Sequence, residues 1–199
     1  MTENTQTLLS VEEALERVLG AFQELPADET DIREALGRVL AEDVRAPNDL
    51  PPFANSSMDG YAVRAADVAA ANRESPVRLS VVADIPAGSA LQVEIGPGQA
   101  GRIMTGAPMP AGADAVVPVE QTDDNFRHAG SGEQLDAPVP SHVSIFRGSK
   151  AGDYVRPVGE DVRSGDVVLR KGRVLRPADL GVLAGLGYPQ VNVTRRPWV

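Results

Sequence analysis

The spacing of apolar residues near the start of the chain predicts an amphipathic helix. Ser10 and Glu13 have the spacing of a capping box, in which each side chain bonds the backbone N–H of the other residue. Apolar residues then recur at helical spacing and form one face, namely Val11, Leu15, Val18, Leu19 and Phe22. We expect this helix to pack its apolar face against a core.

From about residue 61 to residue 119 the pattern is that of short strands. Residues 61–63 are apolar, residues 77–85 are rich in β-branched side chains, and residues 90–98 alternate before a Gly-Pro-Gly turn. Residues 101–121 contain two short apolar runs around a loop rich in glycine and proline. Within this range, a helix is predicted only at 65–72. Short strands separated by turn signals indicate a small sandwich or barrel.

The remaining segments are of mixed character. Residues 35–41 predict a short helix or a strand–helix corner, and the polar segment 122–141 predicts an exposed hairpin or loop. Pro177 and Gly187 are placed to begin and end a helix, and a strand follows them. We therefore predict an α+β fold, mostly β with a few helices. A smaller mixed domain, 8–47 with 141–199, would carry an inserted β-rich domain, 48–140.

Composition excludes several classes of protein. The net charge of -9 argues against a nucleic-acid backbone or an anionic membrane as the main partner. The chain has no cysteine, and a zinc site built on His128 and His142 is not expected, because both lie in loop-like sequence. No signal peptide and no membrane-spanning segment are recognisable. These features predict a cytoplasmic protein.

The segment NSSMDGYAV, residues 55–63, surrounds Asp59 with small polar residues and follows two prolines. A simple β-turn into the strand that starts at Tyr61 accounts for the Asp-Gly pair. It does not account for the prolines and the polar triad before it, which would stiffen a loop and orient Asp59. A nucleophilic role for Ser56 or Ser57 is disfavoured, because no base is nearby in sequence.

Two further segments combine charge with tight turns. In GRIMTG, Arg102 and the Thr105–Gly106 turn could form a small anion cradle; the alternative is a strand that ends in a turn. In VRPVGED, Arg156 precedes Glu160 and Asp161; the alternative is a solvated charged turn. The Walker A pattern is absent from the sequence, so neither segment is a P-loop.

These three segments, in this order, resemble the N-terminal part of the MoeA-type molybdopterin molybdenumtransferases, the family that includes the E domain of gephyrin. The resemblance lies in LPPFANSSMDGYAVRAAD, GRIMTGAPMPAGADAVVPVEQT and VRPVGEDVRSGDVV, and extends from about residue 8 to the end. It implies an elongated, two-part N-terminal region of a homodimer. It also implies insertion of molybdate into adenylylated molybdopterin with release of AMP, for molybdenum cofactor biosynthesis.

The resemblance also implies roles for individual residues. Asp59, Thr105 and Asp161 match the family's catalytic positions, and Asp59 would bind Mg²⁺ or act on a water molecule. Partners would be a molybdopterin adenylyltransferase and molybdoenzymes that accept the cofactor. Candidate substrate- or oxyanion-binding residues are Asn55, Ser56, Arg102, Gly106, Arg156 and Glu160.

Two departures from the family are visible. The family's pterin-binding third domain and its fourth domain are absent, so we expect this chain to be inactive alone. The common Gly-x-Asn-Val-Arg-Arg pattern reads here with Tyr154 in place of Asn and Pro157 in place of the last Arg. The alternative function is a non-catalytic dimerisation or scaffold module of the same fold. The intact Asp59 loop favours the enzyme.

Overall fold

The computed structural model describes residues 9–88, 93–124 and 138–197. In these ranges strands predominate over helices, which confirms the predicted α+β class. None of the helices there is long and apolar enough to cross a membrane. In chain order the elements are α1 (Val11–Gly20), β1 (Ala27–Asp31), β2 (Val44–Arg45), β3 (Asn55–Ser56), β4 (Gly60–Val63), α2 (Ala65–Val68), β5 (Val77–Ile85), β6 (Gln99–Ile103), β7 (Ala115–Pro118), a 3-10 helix (Val119–Gln121), β8 (His142–Ile145), β9 (Val155–Arg156), β10 (Val167–Leu169), α3 (Pro177–Gly185) and β11 (Gln190–Thr194).

The chain divides into two compact units. One is the continuous segment Pro47–Asp166, and the other combines the described residues on either side of it. The sequence placed the end of the insertion near residue 140, but in the structure β8 pairs antiparallel with β5. β8 thus completes the sheet of the continuous unit, β9 pairs with β3 within the same unit, and the unit extends to Asp166.

A five-stranded sheet organises the continuous unit. Its strand order is β7-β4-β6-β5-β8, in which only β5 and β6 are parallel neighbours. Tyr61 and Val63 of β4 belong to a buried cluster with Leu79 and Ile145, whereas Ala62 belongs to another with Ile103. Alternate residues of a strand point to opposite faces, so both faces of β4 are covered.

The flanking unit has a smaller core. β1 pairs with β11 and β2 pairs with β10, both antiparallel. The predicted C-terminal helix and strand are confirmed as α3 and β11. Residues 35–41 do not form the predicted helix, because their backbone groups bond another segment: Leu40 N donates to Arg173 O, and Leu175 N donates to Arg38 O. The apolar side chains that form this core are Ala35, Leu40, Val44, Leu169, Leu175, Leu183, Val191 and Val193.

The first predicted helix forms, but it does not pack as expected. In α1 the capping box is complete: Ser10 N donates to Glu13 Oε2 at 2.9 Å, and Glu13 N donates to Ser10 Oγ at 3.1 Å. No residue of α1 is buried. The prediction that its apolar face packs against a core is therefore wrong for the described part of the chain. The capping box favours the helix locally, but a ten-residue helix without packing is only marginally stable in water.

Other predicted elements have mixed outcomes. The strands at 61–63 and 77–85 and the two apolar runs of 101–121 are confirmed as β4, β5, β6 and β7. The helix predicted at 65–72 is shorter, since α2 ends at Val68. Of the strand predicted at 90–98, residues 90–92 lie outside the described residues, and the remainder has one bridge, from Glu94 to Ala111. Most of the 122–141 loop, with His128, also lies outside them.

Gly60 should be essential for the sheet. A Cβ atom at this position would lie 2.0 Å from the carbonyl oxygen of Val117, a backbone atom of the neighbouring strand. We expect Gly60→Ala to lower the free energy of unfolding by about 3 kcal/mol, because β4 is paired on both sides and cannot shift. The matched control is Gly181→Ala in α3, where nothing lies within 4 Å. It should stabilise the protein by up to about 1 kcal/mol. Equal effects in denaturant titrations would contradict this account.

Asp179 makes the flanking unit sensitive to acid. The carboxylate is buried and accepts from Arg173 Nη2 at 2.8 Å and from Arg176 N at 2.9 Å. The hydrogen bond from Arg173, followed by those from Arg176, lowers the pKa of Asp179 from 3.8 to about 2 despite burial. The ionised carboxylate stabilises the folded state above about pH 4, and this contribution is lost as the pH falls towards 2.

Asp179→Asn should therefore destabilise the protein at neutral pH and weaken the pH dependence of unfolding between about pH 4 and pH 2. The measurement is the free energy of unfolding by urea titration at several pH values. An unchanged slope in that window would show that other carboxylates dominate acid unfolding.

Candidate functional site

The three sequence motifs meet at one place in the continuous unit. Strand β3 pairs with β9, so that Asn55 is opposite Arg156 and Ser56 is opposite Val155. On its other side Ser56 N donates to Ala107 O at 3.0 Å, and Gly106 N donates to Ser56 O at 2.8 Å. We call residues 55–60, 104–109 and 154–161 together the three-motif junction. Segments about 50 residues apart in sequence are thus hydrogen-bonded neighbours.

Asp59 is held at the three-motif junction by Thr105. The backbone N–H and the hydroxyl group of Thr105 both donate to Asp59 Oδ1, at 2.7 and 2.5 Å. The backbone of Asp59 is also bonded, because Val119 N donates to its carbonyl oxygen at 3.1 Å. Hydrogen bonds to a carboxylate are short and strong. Asp59 is only partly buried and Thr105 is exposed, so this oriented carboxylate is accessible from solvent.

The polar residues before Asp59 shape its loop. Ser56 is 1% exposed, and its hydroxyl group donates to Met58 O at 2.5 Å and accepts from Met58 N at 3.2 Å. Asn55 is 5% exposed, and its side-chain amide donates to Phe53 O at 3.4 Å. Both side chains bond nearby backbone groups. Such local bonds compete with the backbone hydrogen bonds of helices and sheets. These contacts favour a structural role over direct contact with a substrate.

The Thr105–Gly106 turn does not have the arrangement expected of an anion cradle. Thr105 N donates to Asp59, and Gly106 N donates to Ser56 O. Both amides predicted to converge on an oxyanion are therefore bonded to the protein itself. Gly106 has a φ of 81°, a conformation that glycine adopts at little cost, and this lets the chain turn towards β3.

Arg156 joins the two acids of the third motif. Its Nε donates to Glu160 Oε2 at 2.6 Å, and its Nη2 donates to both carboxylate oxygens of Asp161, at 2.8 and 2.7 Å. Hydrogen bonds to Glu160 and then Asp161 raise the pKa of Arg156. All three side chains are at least 37% exposed, so the pairs contribute little to stability. A substrate anion could exchange with either carboxylate at Arg156.

Arg102 lies within the sheet instead of at an accessible surface. It is 3% exposed, and its Nε and Nη2 donate to the two carboxylate oxygens of Asp84, both at 2.8 Å. Strand register places Arg102 beside Tyr61 on one side and Asp84 on the other. The bidentate pair with Asp84 raises the pKa of Arg102. This geometry favours a structural role over the predicted contact with a substrate oxyanion.

Sequence analysis missed the carboxylate partners of two buried side chains, Arg102 and Tyr61. Asp84 binds Arg102, and the hydroxyl group of the fully buried Tyr61 donates to Asp124. Burial, followed by the hydrogen bond to Asp124, raises the pKa of Tyr61 far above its usual value. A charged residue within the β-branched run 77–85 was the available signal for Asp84. Its partner could not be identified, because the parallel pairing of β5 and β6 depends on the folded sheet.

Asp59 is the candidate metal ligand of the site. In the described part of the chain, no three His, Asp or Glu side chains are grouped so that they could hold a metal ion. Mg²⁺ is commonly bound through one or two carboxylates, with water and substrate phosphate oxygens as the other ligands. Asp59 as a single carboxylate ligand is compatible with that chemistry, and Glu160 and Asp161 are engaged by Arg156.

The fold and site describe a two-unit α+β protein with an oriented aspartate at the three-motif junction. Residues 9–187 match the family described as MoeA N-terminal region (domain I and II). The chain belongs to this family.

Named relatives agree with this assignment. The chain is 41% identical over 194 residues to the molybdopterin molybdenumtransferase of Bacillus subtilis, covering 98% of this chain and 43% of that protein. It is 44% identical over 165 residues to molybdopterin molybdenumtransferase 2 of Mycobacterium tuberculosis, covering 83% of this chain and 37% of the relative. The chain thus spans less than half the length of these relatives.

A solved structure shows the same fold. The molybdopterin biosynthesis MoeA protein from Pyrococcus horikoshii OT3 is similar with a TM-score of 0.82 and 35% sequence identity. The similarity covers 96% of this chain and 47% of that one.

The structural role of Arg102 can be tested with a double-mutant cycle. Arg102→Met, Asp84→Asn and the double variant should show non-additive free energies of unfolding, with a coupling of about 1 kcal/mol or more. The exposed pair Arg33–Asp31 is the control, and its coupling should be near zero. Additive effects of Arg102 and Asp84 in denaturant titrations would exclude the structural pair and restore Arg102 as a candidate ligand.

Proposed function

We propose that this chain is the N-terminal part of a molybdopterin molybdenumtransferase. The full protein would insert molybdate into adenylylated molybdopterin and release AMP, in the biosynthesis of the molybdenum cofactor. The observation that carries the proposal is Asp59, whose carboxylate is oriented by two donors of Thr105 at an accessible junction. Membership of the family and the names of the relatives support the substrate class.

Electrostatics limits the role of Asp59. Molybdate is a dianion, so a bare carboxylate repels it. With Asp59 as its protein ligand, Mg²⁺ would bind carboxylate and phosphate oxygens together and offset that repulsion. Alternatively, Asp59 would position or deprotonate a water molecule as the phosphate anhydride of the substrate is cleaved. In both cases Thr105 orients the carboxylate.

The third motif supplies the accessible cation of the proposed site. Arg156 pairs with Asn55 across β3 and β9 and is 37% exposed at its side chain. It would contact a substrate oxyanion, while Glu160 and Asp161 hold its guanidinium in place. Arg102 and the amide of Gly106 are left out of the proposed contacts, because the structure uses both internally.

We further propose that the full protein is a cytoplasmic homodimer. Its substrate would come from a molybdopterin adenylyltransferase, and its product would go to molybdoenzymes. The apolar face of α1 is exposed, with Val11 at 80% and Leu19 at 61%, and this supports contact with another protein. The same face favours the second candidate function, a non-catalytic dimerisation or scaffold module. The two functions differ in whether Asp59 is needed.

Asp59→Asn should abolish cofactor synthesis. The substitution keeps the size of the side chain but removes the charge, so we expect a loss of activity of at least about 100-fold. The measurement is synthesis of molybdenum cofactor from adenylylated molybdopterin, Mg²⁺ and molybdate, with this chain extended to the length of its relatives. Thr105→Val should reduce activity less, and Thr105→Ser should retain it, because only serine keeps the hydroxyl donor.

The matched control is Asp166→Asn. Asp166 also accepts from a loop amide, Arg163 N at 3.0 Å, but lies outside the three-motif junction. Melting temperature and solution mass should be the same for all variants. Undiminished synthesis by a folded, dimeric Asp59→Asn variant would reject the catalytic proposal and favour the scaffold module.

A further inference from the structure

Tyr154 has an unusual backbone conformation. Its φ is 55°, and among the described residues it is the one non-glycine residue with a positive φ. This left-handed region is unfavourable for a bulky side chain, whereas glycine and asparagine adopt it more easily. A tyrosine at this position therefore destabilises the fold relative to those two residues.

Burial does not compensate for this cost. The ring of Tyr154 is 42% exposed and belongs to none of the buried apolar clusters of the described chain. By contrast, Tyr61 is fully buried, and the hydroxyl group of Tyr188 donates to Arg45 O at 2.6 Å. The interior contact of Tyr154 is its backbone carbonyl, which accepts from Ser57 N at 3.0 Å. Any residue could make that contact, so the fold does not explain the ring.

The position of Tyr154 points to a ligand. Ser57, which its carbonyl binds, is two residues before Asp59 in the same loop, and Arg156 is two residues after Tyr154. Phe53 and Val158, on the segments that flank β3 and β9, are 46% and 48% exposed. An exposed aromatic ring is well suited to stack against a flat heteroaromatic ring.

We propose that Tyr154 strengthens substrate binding by packing its ring against a flat heteroaromatic ring of the substrate. This inference rests on the proposed function, because the backbone of Tyr154 is bonded to the loop of Asp59 through Ser57. Adenylylated molybdopterin has two such rings, the pterin and the adenine, and both would use the same stacking chemistry. A strained residue without a role in packing is a feature of functional sites.

Three forms of the protein separate the ring from the backbone strain. Tyr154→Asn removes the ring and suits a positive φ, so we expect a higher melting temperature together with a Kd for adenylylated molybdopterin that is about tenfold higher. Tyr154→Phe keeps both the ring and the strain, and it should match the unmodified protein in both measurements. A merely structural tyrosine would change stability and binding in the same direction.

The source of the ring is identified with two probes, AMP alone and molybdopterin alone, each titrated into the chain extended to the length of its relatives. If the adenine stacks on Tyr154, Tyr154→Asn should weaken only the binding of AMP. If the pterin stacks there, the substitution should weaken only the binding of molybdopterin. The inference is overturned if Tyr154→Asn leaves the affinity for AMP, for molybdopterin and for adenylylated molybdopterin unchanged. It is also overturned if the substitution weakens only the binding of another protein.

The experiments distinguish failure of this inference from failure of the catalytic proposal. Loss of synthesis in Asp59→Asn with normal binding in Tyr154→Asn would overturn only the role of Tyr154. A lower melting temperature in Tyr154→Asn would overturn the argument from strain, and with it the reason to assign the ring a function.

Discussion

The pairing of the two-residue strand β3 is the interaction on which the candidate site depends. β3 is bonded to β9 on one side and to residues 106–107 on the other, so its backbone joins three motifs that are distant in sequence. A buried backbone group without a partner costs about as much as a lost hydrogen bond. Because Asn55 and Ser56 are buried, displacement of any one motif would leave such groups unpaired in the others. The Asp59 loop is therefore fixed by its neighbours as well as by its own turn.

The sequence predicted the same role, binding of substrate or oxyanion, for Arg102 and Arg156, but the two side chains differ in burial. Arg102 is inside the sheet, where a bidentate carboxylate partner is needed because an unpaired buried charge is very unfavourable. Arg156 is at the edge of the three-motif junction, where water screens its pairs with Glu160 and Asp161. An arginine in solvent can exchange one anion for another at low cost, whereas the buried one cannot. In a chain of net charge -9, this accessible cation matters for any anionic substrate.

Stability and recognition make opposing demands on the three-motif junction. The glycine turns, the bonds of Ser56 and the pairing of β3 lower the energy of the folded chain, but Tyr154 raises it through a positive φ. Its exposed ring gains little from burial in return. The apolar face of α1 is a second feature that the described fold leaves exposed. Neither feature is explained by contacts within the described residues 9–88, 93–124 and 138–197.

Local signals in the sequence determined much of the fold. The capping box of α1, the proline and glycine that bound α3 and the β-branched run of β5 depend on neighbours within a few residues, and each element formed. The three motifs were also recognisable, because a simple turn did not account for all of their polar and charged residues. Tertiary structure decided what those residues contact: the pairing of Asp59 with Thr105, the burial of Arg102 against Asp84 and the extension of the inserted unit to Asp166. These contacts depend on strand order and register, which bring together residues 18 to 101 positions apart in sequence. No short-range pattern in the sequence records that proximity.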